Sequence, residues 1–223
     1  AYVDELARVI AYEGVPPLAD FGVLTSGTTG QPKPLWRREM SWRDFFDIQN
    51  DIFHINKDTK IFLQGSFSFT GVSNMVIASL WAGGTVVTTS SLRPSRWMQL
   101  IEEYNVDHIY ALPTKLRLLV RHCKSKVDSI NYIIGGSQVL DRQLMEQLEL
   151  ICPNMEFILY YGATELNYIT YCTGKEWLDR EGTVGRPFPT VKIAEQNSVI
   201  YVTTKHHIEG IPDTYTVNDC GYI

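Results

Sequence analysis

Short apolar stretches alternate with longer amphipathic stretches along most of the chain. Strands are predicted where β-branched and aromatic residues cluster between Gly, Pro or polar residues, at 21–25, 60–66, 85–89, 107–113, 130–136 and 156–162. Helices are predicted at 41–53, 72–84, 96–105, 114–123 and 141–152. Gly83 and Gly84 should end the second helix, Asp141 should cap the last, and Ser41 and Asp44 are spaced like a capping box.

After residue 185 the pattern changes to two short strands, 190–195 and 198–204, with no helix between them. The order predicts an α/β fold, with a mostly parallel sheet flanked by helices and a small β-rich C-terminal segment. The expected division is a core of residues 1–185 and a β-rich segment of residues 186–223.

Five loops of unusual composition each follow a predicted strand: TSGTTG, GSFSFTG, ALPT, GGS and YYGATE. In open parallel sheets ligands bind outside the carboxyl ends of the strands. The sequence therefore predicts a ligand site built from these loops.

Composition and charge narrow the classes of function. The net charge is −5 and no basic stripe stands out, which argues against a nucleic-acid partner. The four cysteines are too widely spaced for a zinc site. No apolar run of membrane-spanning length and no signal peptide is visible, which predicts a cytoplasmic protein without a membrane span.

The stretch TSGTTGQPK, residues 25–33, concentrates hydroxyls and glycines ahead of Lys33. Backbone amides and hydroxyls of this kind can wrap a polyphosphate, although a flexible surface loop has the same composition. A Walker A loop is excluded because Lys33 lies between two prolines, Pro32 and Pro34, and a Rossmann G-x-G-x-x-G pattern is absent.

This stretch resembles the phosphate loop of the adenylate-forming superfamily, which includes acyl- and aryl-CoA synthetases, peptide-synthetase adenylation domains and luciferases. YYGATE (160–165), GTVGRPFP (182–189) and TVNDCGYI (216–223) resemble three further motifs of that family in the same order. Asn218 stands where the last motif has Gly. The resemblance implies a truncated N-terminal domain, without most of the family's leading segment and without its small C-terminal domain.

The implied activity is that of an acid–thiol ligase. ATP and Mg²⁺ would activate an uncharged carboxylic acid as acyl-AMP, and the acyl group would pass to CoA or to a carrier-protein phosphopantetheine. A fragment of this kind should be weakly active or inactive alone. The alternative is a non-catalytic nucleotide- or acyl-binding fragment.

The resemblance also assigns site residues. Lys33, Thr164 and Glu165 would be catalytic, with Glu165 as the Mg²⁺ ligand. Tyr161 would stack on adenine against Gly136 and Ser137, and Asp219 would bind the ribose. The full nucleotide-binding set is Thr25, Ser26, Gly27, Thr28, Thr29, Gly30, Gly136, Ser137, Tyr161, Gly162 and Asp219.

The acid pocket is expected around the loop after the second predicted strand. Ser68 stands where CoA ligases of the family carry a His and where amino-acid-activating domains carry an Asp. The resemblance therefore favours an uncharged aliphatic or aromatic acid. The expected pocket residues are Phe67, Ser68, Phe69, Gly71, Asn74, Tyr160 and Asn167.

Overall fold

A computed structural model describes residues 15–25, 33–123 and 125–223. Within these ranges the strands are β1 Phe21–Leu24, β2 Pro34–Arg37, β3 Lys60–Leu63, β4 Thr85–Thr88, β5 His108–Tyr110, β6 Tyr132–Gly136, β7 Glu156–Ala163, β8 Asn167–Thr173, β9 Arg186–Pro187, β10 Lys192–Gln196, β11 Val199–Thr203 and β12 Thr214–Tyr215. The helices are α1 Met40–Ile52, α2 Thr70–Trp81, α3 Pro94–Glu103, α4 Pro113–His122, α5 Arg142–Ile151 and α6 Gly174–Asp179.

A seven-stranded sheet forms the centre, in the order β4-β3-β5-β6-β7-β8-β9. The first five strands of this order pair in parallel, and β8 and β9 add antiparallel at one edge. Strand order reverses between β3 and β5, since the chain goes from β3 out to β4 and then returns past β3. Such a reversal opens a crevice at the carboxyl ends of the flanking strands.

Both faces of the sheet are buried, as the continuous apolar strands require. Phe62, Ile109 and Ile133 point into a core shared with α3, α4 and α5. Their strand neighbours Ile61 and Ile134 point the other way. That second core also contains residues of α1, α2 and β11. The expected fold class, a mostly parallel sheet flanked by helices, is confirmed.

The first predicted strand does not belong to this sheet. β1 pairs antiparallel with β2 in a separate hairpin. The sequence pattern did not predict β2. The hairpin packs Val23 against Trp42 and Phe46 of α1. A backbone hydrogen bond from Leu24 N to Ser68 O, 2.9 Å long, ties the end of β1 to the loop after β3.

The sequence pattern also failed to predict β8 and α6, which lie between the YYGATE motif and residue 185. The segment after residue 185 forms a three-stranded antiparallel sheet in the order β10-β11-β12. Val202 of this sheet and Phe188 are buried in the same core as α1. No helix of the described residues is long and apolar enough to cross a membrane.

The two predicted helix caps have different outcomes. The Asp141 side chain accepts a 2.8 Å hydrogen bond from Leu144 N, as expected for the N-cap of α5. The capping box at Ser41 and Asp44 was wrong, because Glu39 is the N-cap of α1 and makes no side-chain cap. The Ser41 hydroxyl instead donates to Arg38 O at 2.7 Å.

We expect Asp141→Ala to lower the free energy of unfolding by about 1 kcal/mol, since it removes the cap acceptor. Asp141→Asn keeps an acceptor but loses the 2.5 Å ion pair with Arg117. The hydrogen bonds from Arg117 and from Leu144 N lower the pKa of Asp141. The benefit of its charge is therefore present above the ordinary carboxyl pKa and is lost as pH falls through the folded-state pKa.

Urea unfolding at neutral and acid pH measures both effects. The difference between the wild-type chain and Asp141→Asn should shrink in acid. Equal stability of the wild-type chain and Asp141→Ala at neutral pH would show that the cap contributes nothing.

Candidate active site

Two cavities lie on opposite sides of β7, near its carboxyl end. Side chains of neighbouring strand residues point to opposite faces. Tyr160 accordingly lines a small cavity of about 90 Å³, whereas Tyr161 lines a larger one of about 400 Å³. The two expected binding regions are thus separated by one strand.

The small cavity collects most of the predicted acid-pocket residues. Gly71, Asn74, Tyr160 and Asn167 line it, together with Gly162 and Thr164. The sequence did not predict the other lining residues in this role; they are Thr70, Ser137, Ala163 and Tyr168. They could not be found from motifs, because α2 and β8 bring them together only in the folded chain.

Phe67, Ser68 and Phe69, which were also expected in the acid pocket, do not line this cavity. Phe67 is 56% exposed and Phe69 is the N-cap of α2, so both precede the part of the helix that faces the cavity. Ser68 is exposed, and its carbonyl accepts from Leu24 N. Thr70, the first residue of α2, is the side chain of this segment that reaches the cavity.

Buried tyrosine hydroxyls continue the small cavity toward β5. The hydroxyls of Tyr110 and Tyr160 are hydrogen-bonded at 2.7 Å, and Tyr160 lies 3.5 Å from Ser137 Oγ. Burial raises the pKa of Tyr110 and of Tyr160, so both hydroxyls stay neutral. A Cβ at Gly71 would lie 2.4 Å from the Tyr110 hydroxyl, which explains the glycine there.

The large cavity contains the predicted ribose ligand. Tyr161 donates a 2.5 Å hydrogen bond to Asp219 Oδ2, and both residues line the cavity. Burial, then the Asp219 carboxylate, raises the pKa of Tyr161. Asn218, which replaces the family's Gly, has φ 64°, and asparagine tolerates this left-handed conformation better than most residues. The substitution therefore keeps the backbone geometry beside Asp219.

The structure places Tyr161 and Ser137 at different cavities, whereas the resemblance implied that they lie together with Gly136 around adenine. Ser137 lines the small cavity with Tyr160, and not the cavity that contains Tyr161. A Cβ at Gly136 would lie 2.3 Å from Tyr160 O, so the packing of β6 on β7 already requires glycine. The physical reason is again strand alternation, which places adjacent tyrosines on opposite faces.

Arg37, at the end of β2, is a fully buried residue that the sequence analysis missed. Its guanidinium donates to Thr164 O at 2.7 Å, to His206 O at 3.1 Å and to the Ser41 hydroxyl at 3.2 Å. One side chain therefore joins the hairpin, the YYGATE motif and the segment after β11. No sequence motif marks it, since its role depends on burial alone.

The charge of Arg37 acts near the predicted metal ligand. Burial lowers the pKa of Arg37 to about 9, and the negative charge of Glu165 opposes this shift. The guanidinium therefore remains charged at neutral pH, where it attracts anions. Among the described residues, the half-buried Glu165 side chain has no hydrogen-bond or ion-pair partner.

The ends of the predicted phosphate loop are held together. Thr25 N donates to Lys33 O at 3.0 Å, and Lys33 N donates to Thr25 Oγ1 at 3.3 Å. Lys33 is exposed at this position. The predicted phosphate ligands Ser26, Gly27, Thr28, Thr29 and Gly30 lie outside the described residues.

A protein-only metal site is not found in the part of the chain that the structure describes. No group of three or more His, Cys, Asp and Glu residues converges there. Mg²⁺ commonly keeps several waters and binds through one or two carboxylates together with substrate phosphates. A single carboxylate at Glu165 fits that mode of binding.

A third cavity, of about 790 Å³, lies between the start of α1 and the β10–β12 sheet. Its lining is of mixed charge and includes Arg38 and Glu209, which pair at 2.6 Å. None of the described residues of the predicted site lines it.

The sequence model of the AMP-binding enzyme family matches residues 22–204. The chain therefore belongs to this family of adenylate-forming ligases, as its motifs implied.

Similar proteins include ligases of two kinds. The uncharacterized acyl-CoA ligase YhfT of Bacillus subtilis (strain 168) is 26% identical over 216 residues, which cover 89% of this chain and 45% of YhfT. Tyrocidine synthase 3 of Brevibacillus parabrevis is 25% identical over 194 residues, which cover 85% of this chain and 3% of that synthase.

A solved structure has the same fold. It is O-succinylbenzoate coenzyme A synthetase (MenE) of Bacillus subtilis, in complex with ATP and magnesium ion. The TM-score is 0.81 at 19% identity, over 91% of this chain and 47% of that one. The chain thus spans about half the length of the two acyl-CoA ligases that it matches.

We expect Arg37→Lys to lower the free energy of unfolding by about 1–3 kcal/mol. A lysine ammonium is a single point charge and cannot replace the planar fork that reaches Thr164, His206 and Ser41 together. At least one buried carbonyl should then lose its partner. Thermal unfolding beside Arg38→Lys, whose side chain is 45% exposed, provides the measurement and a matched control. If Arg37→Lys and Arg38→Lys lower the free energy of unfolding equally, this account of Arg37 is contradicted.

Proposed function

We propose that this chain is the core of an acid–thiol ligase that binds ATP and activates an uncharged carboxylic acid as acyl-AMP. The observation that supports the proposal most strongly is the position of Thr164. It lines the small cavity, follows the strand that carries Tyr161, and is held through its carbonyl by Arg37. An acid in the small cavity and a nucleotide in the large one would meet at this residue.

In the proposed complex the large cavity binds the nucleoside. The Tyr161 ring supplies a flat face for adenine, and Asp219 accepts hydrogen bonds from the ribose hydroxyls. The bond between the Tyr161 hydroxyl and Asp219, seen here at 2.5 Å, would orient the carboxylate toward the sugar. Ile193 and Ile200 add apolar walls to the same cavity. A mostly apolar pocket with few polar groups is typical of a nucleoside site.

The phosphates would lie between the phosphate loop and Thr164. Thr25 and Lys33 hold the two ends of that loop, and residues 25–30 with Lys33 are assigned to the β- and γ-phosphates by family resemblance. Lys33 would neutralise part of their charge, and Thr164 would contact the α-phosphate. Glu165 would be the protein ligand of Mg²⁺, which supplies charge stabilisation at the phosphates when it is bound.

The reaction itself brings two anions together. The acid carboxylate would attack the α-phosphorus, a bond to pyrophosphate would break, and acyl-AMP would form. The site must therefore supply positive charge and fixed orientation. Lys33 would do so directly, while the buried charge of Arg37 would act from behind Thr164. A thiol of CoA or of a phosphopantetheine would then accept the acyl group and release AMP.

A non-catalytic nucleotide-binding module is the second candidate. Departures from the family motifs at Ser68 and Asn218 favour it. The left-handed φ of Asn218 weakens that support, since asparagine there preserves the backbone conformation. Ser68 lies outside the small cavity, so its identity has less bearing on acid binding than the resemblance implied.

Because the chain alone is expected to be weakly active or inactive, ATP–pyrophosphate exchange is measured on a full-length version, with a panel of aliphatic, aryl and amino acids, to test the proposed activity. We expect exchange with at least one uncharged acid, and we expect Glu165→Gln to reduce it by about 100-fold or more, because it removes the metal ligand. Glu156→Gln is the matched control, since Glu156 is exposed at the other end of β7. Absence of exchange with every acid, while ATP still binds, would favour the non-catalytic module.

Nucleotide binding can be tested separately by calorimetry. We expect Tyr161→Ala to weaken ATP binding by about 1–3 kcal/mol, the range for a base stacked on an aromatic side chain. Tyr161→Phe keeps the ring and removes only the hydrogen bond to Asp219, so it should weaken ATP binding less than Tyr161→Ala does. If Tyr161→Ala binds ATP as tightly as the wild-type chain, Tyr161 is not part of the nucleotide site.

A further inference from the structure

The small cavity is bordered by buried polar atoms that lack hydrogen-bond partners. Among the described residues these are Thr70 Oγ1, both amide atoms of Asn74 and Asn167 Nδ2. The Tyr168 hydroxyl, which interacts with the Tyr110 hydroxyl, also borders the cavity. The four side chains are at most 9% exposed. A buried polar group without a partner costs about 1–3 kcal/mol, so native proteins keep few of them. Several of them border this one cavity, where a ligand would complete their hydrogen bonding.

Two separate elements supply these groups. Thr70 and Asn74 lie one turn apart on α2, and Asn167 and Tyr168 begin β8. Asn167 has φ 65° and Ser137, which also lines the cavity, has φ 60°. Asparagine tolerates this left-handed conformation well, whereas at Ser137 it is strained, as is often found at functional sites.

The described part of the cavity lining is uncharged. None of the described residues that line it is acidic or basic. Burial also raises the pKa of Tyr168, so its hydroxyl remains neutral alongside the hydroxyl of Tyr160. A second carboxylate or an ammonium on the substrate would find no counter-ion among these residues, and burying such a charge unpaired is costly.

The size of the cavity limits the length of the acid. One water needs a cavity volume of about 10–15 Å³, so a cavity of 90 Å³ has room for roughly six water-sized groups. Beyond the carboxyl carbon, that space fits a short chain and one polar end group. A long fatty acyl chain exceeds it.

On the basis of the proposed function, we propose that the small cavity selects a short carboxylic acid whose far end carries a neutral hydrogen-bonding group. That group both donates and accepts, as a hydroxyl or carboxamide does. The Asn74 amide supplies both complementary roles, and Thr70, Asn167 and Tyr168 supply further partners. Asn74 is thus a specificity-determining residue for the acid.

Binding of acyl-adenylate analogues tests this selectivity without requiring turnover. The probes are sulfamoyl adenosines that carry a 4-hydroxybutanoyl, a pentanoyl or a palmitoyl group. The first two have the same length and differ by a hydroxyl in place of a methyl. We expect the 4-hydroxybutanoyl analogue to bind at least about tenfold more tightly than the pentanoyl analogue, because its hydroxyl satisfies buried polar atoms. The palmitoyl analogue should bind most weakly.

Asn74→Leu should make the pentanoyl analogue bind more tightly than the 4-hydroxybutanoyl analogue, since leucine has a volume similar to that of asparagine and no polar side-chain atoms. Ser79→Ala is the control, because Ser79 is buried on the same helix and its hydroxyl donates to Met75 O, away from the cavity. Thr70→Val, which should reduce the preference, provides a second test if Asn74→Leu does not fold.

The outcomes distinguish the two proposals. If the pentanoyl or palmitoyl analogue binds as tightly as the hydroxylated one, the selectivity proposal is wrong while the ligase proposal stands. An unchanged preference in folded Asn74→Leu and Thr70→Val would likewise refute it. If no analogue competes with ATP, the proposed adenylate site itself fails.

Discussion

Parallel pairing of β3, β5, β6 and β7 forces the loops that follow these strands to emerge along one edge of the sheet. The candidate site depends on this constraint. Because strand order reverses between β3 and β5, α2 and the Tyr110 hydroxyl border an open crevice there. Strand alternation then acts at β7, where Tyr160 and Tyr161 face different cavities. One strand thereby separates the proposed acid pocket from the proposed nucleoside pocket, and Thr164, which lines the acid pocket, directly follows that strand.

The candidate site also requires that the β1–β2 hairpin and the YYGATE motif keep a fixed position relative to each other. Arg37 meets this requirement by donating to the carbonyl of Thr164 from the end of β2. A buried guanidinium is costly unless its hydrogen bonds are made, so the contact favours one arrangement of the segments that it joins. The same charge lies near Glu165, where phosphates and a divalent cation are proposed to bind. Structural and electrostatic roles therefore coincide in one side chain.

Most of the sheet could be predicted from the sequence, because its buried parallel strands are short continuous runs of apolar residues. β2 was missed since Pro34 begins it, and β8 was missed since it follows a motif that had been interpreted as a loop. Motifs marked candidate site residues such as Glu165 and Asp219, and their roles stay predictions. Thr70, Tyr168 and Arg37 could not be found in this way, because each acquires its role from burial among segments distant in sequence. Phe67 and Phe69 were expected in the pocket because they are aromatic and close to a motif, but they do not line the small cavity.

The most direct test of the central claim is a crystal structure of the protein with ATP and Mg²⁺. The account predicts adenine on the Tyr161 ring, the ribose hydroxyls on Asp219 and the α-phosphate beside Thr164, with the small cavity left open for an acid. A nucleotide bound instead in the charged cavity between α1 and the β10–β12 sheet would contradict it. A nucleotide that filled the small cavity with its base would contradict it equally.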